Sequence, residues 1–331
     1  MTTTQPPVFE GVDAPHAAGG LRGVIGRRRA DRRSDEQGDR GIVSDFERKK
    51  RGIRFGMGGV HTLLFAGLVI AGLGPLLWLA KSAVTPTQDT LRQPLALWPN
   101  GIDWANLPQA WNDVHIDQFF WNTIVIAAGS WFFQLLVATT AGYALSVLRP
   151  KYAPVLNGAI LATLFIPAVV LLVPLYLTIV NPPFLGDDVS LLNNYLAVWL
   201  PAAANAFNIY VLKRFFDQIP DDLLDQAAID GAGRLRILWS VVLPLSRPVL
   251  AVISIFAIIA MWKDFLWPLL VLQDPDKQSL SVALSRLSGT AFVAPTDLMA
   301  GLAIASVPMI VVFLVFQRQI LAGLSAGGLK G

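Results

Sequence analysis

Runs of about twenty apolar residues, enough to cross a bilayer's hydrocarbon core, alternate with short polar stretches along most of this chain. Windows of that length give six candidate membrane helices: Gly59–Ala80, Trp121–Leu145, Val155–Val180, Leu192–Leu212, Val249–Leu272 and Leu298–Leu321. The pattern predicts an all-α, polytopic membrane protein with six transmembrane helices. The fourth span is the weakest, because Asn193, Asn194, Asn205 and Asn208 interrupt it. Amide side chains at that depth must face protein or water rather than lipid. Bonding between helices is the commoner use of such a residue. Lining a translocation path is the sharper use, and Asn205 and Asn208 are candidates for it.

Composition agrees with the pattern. Only 15% of the 331 residues are charged, against about 25% for a soluble domain. The absence of cysteine excludes disulfides, thiolate metal sites and cysteine nucleophiles. His16, His61 and His115 lie far apart and give no zinc-type spacing, so no metal site is predicted.

Charge adds an orientation. Twelve of the 26 Lys and Arg residues fall in the first 55 positions, a segment with few large apolar residues that predicts a disordered cytoplasmic tail over 1–55. Its runs Arg27-Arg28-Arg29 and Arg48-Lys49-Lys50-Arg51 suit nucleic acid or anionic lipid, and the span that follows at once favours lipid and no nucleic acid. With this tail inside, the remaining inner connections hold nine basic residues and the outer ones four, with Lys263 inside the fifth span. Both termini are therefore expected in the cytoplasm. Two outer connections stand out. The first carries Trp98, Trp104 and Trp111, expected as interfacial anchors, and the last, Gln273 to Asp297, is long enough to reach a partner.

The cytoplasmic connection between spans four and five, 219–248, carries the strongest local signals. Pro220 suits a helix start, and Asp221 and Asp222 complement the positive end of the helix dipole. Leu223, Leu224, Ala227, Ala228 and Gly231 then recur at helical spacing as an apolar face rich in small residues. Gly231 and Gly233 permit a sharp turn. A short amphipathic helix suited to docking, or an ordinary loop helix, satisfies this pattern.

The order acidic-x-Ala, Gly, then apolar-x-Leu-Pro resembles the EAA signature of binding-protein-dependent ABC importer permeases. Here it reads Asp225-Gln226-Ala227, Gly231 and Val241-Val242-Leu243-Pro244, with Asp230-Gly231-Ala232 resembling the carbohydrate-importing branch. Asn122-Thr123, Ala141-Gly142-Tyr143-Ala144-Leu145 and Phe265-Leu266-Trp267-Pro268-Leu269 agree in order, and Gly323 to Gly331 is similar to the maltose-type terminus. The resemblance runs from about residue 56 to the last, so 56–331 reads as one permease domain.

That resemblance implies a type I ABC importer permease fold in a bacterial inner membrane. It implies a second permease subunit as heterodimer partner, an ATPase dimer and an extracytoplasmic solute-binding protein. It places no cofactor on this chain; ATP and Mg belong to the ATPase. The EAA loop becomes the coupling helix, with Asp225 meeting a basic group of the ATPase, and Ala227 and Gly231 giving the close fit. Two positions depart: the family usually has Glu for Asp225 and Ala for Gln226. Gly327, Gly328 and Lys330 correspond to a tail that reaches the ATPase interface. The solute implied is a sugar or related polar compound.

Lys263-Asp264 forms an ionisable pair inside a span and is a candidate for the translocation path. A lysine that snorkels, or that pairs with a nearby acid, meets the same pattern. No phosphate loop is present, because Leu329 stands where the lysine after Gly323 to Gly328 would be required. The chain is therefore expected not to be an enzyme. An ion-gradient carrier is the alternative, and Asp264 is its only deep acid.

Overall fold

In a computed structural model the described residues are 51–183, 185–186, 189–290 and 293–328, with side chains described for 57–317. The tail read over 1–55 lies outside them except at its last residues. Two units are described separately, divided at Gly74 and Pro75. In the first, the described residues belong to helix α1, Arg51–Ala83, whose stretch from Met57 onward is long and apolar enough to span a membrane.

From Pro75 onward the structure is helical, and no strand occurs among the described residues. Two short helices, α2 (Thr87–Arg92) and α3 (Asn106–Asn112), precede the long α4 (Ile116–Tyr143). A π-helical turn, Ala144–Leu148, ends α4, and Arg149 leaves it in the left-handed region at φ 43°. Helices α5 (Ala153–Thr163), α6 (Ala168–Val180), α7 (Leu196–Ala203) and α8 (Ala206–Phe216) follow. Next come α9 (Asp221–Ile229), α10 (Arg234–Leu245) and α11 (Arg247–Lys263). The chain ends with α12 (Leu266–Val271), α13 (Leu280–Ser288) and α14 (Pro295–Gly328).

The helices depart from six uninterrupted spans. Three are long and apolar enough to cross a membrane, or up to five if each bent pair counts as one span, among the described residues. The third predicted span is the pair α5 and α6, bent by 108°. Pro167 explains the break, since proline has no amide hydrogen and disfavours helical geometry in the residue before it. The fourth predicted span is α7 and α8, parted at Ala204 and Asn205. The Asn205 side chain accepts a hydrogen bond from the Asn208 amide at 3.0 Å and so starts α8 afresh.

Helix α4 is the hub, packed against α7, α8 and α11. Gly142 permits its approach to α8: a Cβ there would stand 3.2 Å from the Lys213 backbone nitrogen. One apolar cluster joins Tyr143, Leu145, Leu212, Phe216, Ile237, Leu238 and Val242. A second joins Ile126, Ile179, Val198, Trp267 and Val271, and a third Ile116, Leu280, Leu284 and Ala300. Many large apolar side chains point outward instead, among them Val155, Phe165, Val169 and Val173. Such a surface suits lipid or a partner subunit.

The predicted tryptophan anchors divide. Trp98 and Trp104 are exposed, whereas Trp111 packs into the third cluster with its ring 5.5 Å from that of Phe120. The reason is that Trp111 lies on α3, which packs against α4 and α14.

Candidate functional site

The 219–248 connection folds into the short helix and turn that the sequence predicts, followed by a second helix, α10. Pro220 occupies the cap position, and Asp221 and Asp222 fill the first turn of α9. At its other end the Gly231 amide donates to Ala228 O at 3.0 Å, and the Ala232 amide donates to Ala227 O at 2.9 Å. These two bonds form a Schellman motif, which requires a left-handed residue. Gly231 supplies it at φ +82°.

The helix has two distinct faces. Leu224, Ala227 and Ala232 pack inward against the first apolar cluster. Asp222, Leu223, Asp225, Gln226, Ala228, Ile229, Asp230 and Gly231 are exposed. The small-residue face read from the sequence is therefore shared: Ala227 fits α9 against its own chain, while Ala228 and Gly231 face outward. Among the described residues Asp225 has no ion pair. Exposed Leu235 and Trp239 extend the outer surface along α10.

Two contacts fix this unit to the helices behind it, and the Asp217 carboxylate ties α4 to α8 beside it. The Tyr143 hydroxyl donates to Arg234 O at 2.8 Å, joining the end of α4 to the start of α10. Arg149 lies 3.5 Å from the Asp221 carboxylate, an exposed and weak pair. Buried Ser146 donates to Asp217 at 2.7 Å, and Lys213 pairs with the same carboxylate at 2.6 Å. Burial pushes the Asp217 carboxyl up, but the hydrogen bonds from Lys213 and Ser146 outweigh it and hold the group below its usual range.

The Leu-Pro end of the motif makes a corner. Leu243 is half-buried against the first cluster, Pro244 is exposed, and the Ser246 hydroxyl donates to Val242 O at 2.6 Å. Helix α10 meets α11 there at 81°. Helices α9 and α10 thus cap the bundle end as one crosswise piece rather than continuing a span.

The other candidates lie elsewhere. Asn208 is buried and donates to the Gln134 side-chain oxygen at 2.9 Å, a bond between α8 and α4, while Asn205 caps α8. Lys263 is exposed at the end of α11, with no ion pair among the described residues. Asp264 sits in the break before α12, where its backbone oxygen accepts from the Ser281 hydroxyl at 2.9 Å. Trp262, the neighbour of Lys263 in the chain, lines a cavity of about 420 Å³ with Ser281 and Ser285. Gly327 and Gly328 close α14, and Lys330 lies outside the described residues.

Four residues matter more than their sequence pattern revealed. Gln134 offered no periodic signal beyond being polar in a span. Asp217 follows Lys213 at helical spacing, a readable sign of a pair. Asn122 and Thr123 hold the connection after α12: Asn122 donates to Asp276 O at 2.8 Å, and Thr123 accepts from the Leu280 amide at 2.8 Å.

The family model described as "Binding-protein-dependent transport system inner membrane component" matches residues 134–325. The sulfoquinovosyl glycerol transport system permease protein SmoH of Agrobacterium fabrum is 32% identical, over 80% of this chain and 91% of its own. The diacetylchitobiose uptake system permease protein NgcG of Streptomyces coelicolor is 30% identical, over 81% of this chain and 87% of its own. A chain from the crystal structure of a bacterial ABC transporter that imports the acidic polysaccharide alginate superimposes with a TM-score of 0.72. It has 25% identity and covers 81% of this chain and 98% of that one.

Proposed function

Because this chain belongs to the family of binding-protein-dependent transport system inner membrane components, we propose that it forms half of the path by which an ABC importer takes up a carbohydrate or similar polar solute. Importer membership sets aside the ion-gradient carrier. It also makes the chain a transport subunit, with hydrolysis on a separate chain. The glycosidic solutes in the names of SmoH and NgcG support the solute class.

The observation that carries the reading is the two-faced α9. Its inner face is tied down through Leu224, Ala227 and the Schellman turn, while the side chains of Asp222, Asp225, Gln226 and Ile229 on its outer face are exposed, and neither aspartate has an ion pair among the described residues. A helix held rigidly on one side and open on the other can transmit a push. We assign α9 as the coupling helix, Asp225 as its acidic contact, and Ala228, Ile229 and Gly231 as the fitting surface on an ATPase dimer that binds ATP and Mg. Closure of that dimer would drive the crosswise α9–α10 piece, and Tyr143 and the Leu243–Pro244 corner would pass the motion to α4 and α11. The permease then exchanges between two states, one open to each side.

The rest of the assembly follows from the same reading: a second permease, an extracytoplasmic binding protein near Gln273–Asp297, and six membrane crossings, three of them broken. Both termini are cytoplasmic, residues 1–55 form a basic tail, and the terminus with Gly327, Gly328 and Lys330 reaches the ATPases. Asn205 and Asn208 serve packing in this arrangement, and Lys263 with Asp264 remains the pair nearest the path.

Gentle detergent extraction of the tagged chain tests the proposal. Co-purification of a second permease and an ATPase, in about a one-to-one-to-two ratio, is expected from a binding-protein-dependent importer. A lone chain that moves solute without ATP would overturn it.

A further inference from the structure

A cavity of about 590 Å³ opens beside this site, between the end of α4, the start of α5 and α8. Arg149, Lys151 and Lys213 line it with one acid, Asp217, and the half-buried Asn157. Lys213 is neutralised by Asp217 at 2.6 Å, which leaves the two charges of Arg149 and Lys151 in excess. Arg149 is held in place rather than free. It follows the π-helical turn at φ 43°, an uncommon geometry for a residue with a side chain, and its Nε donates to Ser146 O at 2.6 Å. Its pairing with Asp221, exposed and 3.5 Å away, is weak enough for a better anion to displace.

Just beyond the cavity, Tyr152, Val155 and Leu156 project outward from the first turns of α5. Cations at the mouth, one amide donor and an apolar surface leading away together match an amphiphile with an anionic head. We propose that this cavity binds a phosphate group, and that its source is the headgroup of an anionic phospholipid whose chains lie along α5. Basic pockets between membrane helices are suited to such headgroups. The inference requires the chain to stand in a membrane and does not depend on the coupling role of α9.

The test uses the purified importer complex and native mass spectrometry after extraction from phosphatidylglycerol-containing membranes. Bound phosphatidylglycerol is expected on the wild type and about 30-fold weaker in Arg149→Ala/Lys151→Ala, the effect of two lost surface cations. Lys151→Ala alone, an exposed side chain with no ion pair among the described residues, is expected to weaken it about fivefold with folding intact. Arg214→Ala removes a nearby cation that instead covers the Tyr210 ring, and retention should be unchanged. Equal lipid retention in all variants would overturn the site. Displacement of the lipid by inorganic phosphate at about ten millimolar would overturn the lipid source in favour of a soluble anion. Unaltered ATPase coupling in a lipid-free variant would leave the transport reading untouched, so the two fail separately.

Discussion

The Tyr143 hydroxyl donates to the carbonyl oxygen of Arg234, 2.8 Å away and 91 residues later in the chain. This bond crosses from the long hub helix to the first residue of α10, so it lies on the proposed route from α9 to α4. Tyr143→Phe removes it and keeps the ring in the first cluster. A loss of about 1 kcal/mol is expected. In the reconstituted importer, binding-protein-stimulated ATP hydrolysis should fall about fivefold with the complex still assembled. An unchanged rate would remove Tyr143 from the route.

Asp225 is exposed and has no ion pair among the described residues, so reversing its charge should change folding by no more than about 0.5 kcal/mol. Against a basic group on the ATPase, however, Asp225→Arg sets like charges together. The expected outcome is normal membrane insertion with loss of ATPase subunits on purification. Full solute-stimulated hydrolysis in the variant complex would sink the assignment.

How legible was this in the sequence? The start and stop of α9 were, because Pro220, Asp221, Asp222 and Gly231 act through their own backbone neighbours. The break at Pro167 was written in the chain, yet a twenty-residue hydropathy average passes over one proline. The direction of Ala227 was hidden, since Ala227 and Ala228 are alike locally and only the cluster behind α9 distinguishes them. The partners of Asn208 and Tyr143 lie 74 and 91 residues away. Their amide and hydroxyl groups signalled a need for a partner without naming one.

Gly231 tests whether the Schellman turn matters. An alanine at φ +82° should cost about 1 kcal/mol, and asparagine, which tolerates the left-handed region, clearly less. Coupled ATPase activity should therefore rank wild type, then Gly231→Asn, then Gly231→Ala. Should alanine outperform asparagine, close contact with a partner surface and not backbone geometry would govern the position.

The buried Asn208–Gln134 bond separates packing from transport. Asn208→Ala strands the Gln134 amide and should cost about 0.5–2 kcal/mol in a detergent melt. Replacing both by Leu restores an apolar match and should recover most of that stability. If the double variant is stable and still transports, the pair is glue between α4 and α8. If it is stable but inactive, the amides line the solute path.

Asp217 makes its end of the bundle sensitive to acid. Its folded-state pKa lies below the unfolded value of about 3.9, so it binds its proton more readily when unfolded. Its stabilising effect is thus complete above that unfolded value and disappears as pH falls through the lower folded value. Asp217→Asn should accordingly melt at a lower temperature than wild type at pH 7, because Lys213 loses its partner at 2.6 Å. The gap should narrow once the pH drops below about 4 and close when the wild-type carboxyl is itself protonated. Melting curves of both proteins from neutral to acid pH decide it. No gap at any pH would mean that the hydrogen bond from Ser146, which asparagine can also accept, and not the charge on Asp217, holds α4 to α8.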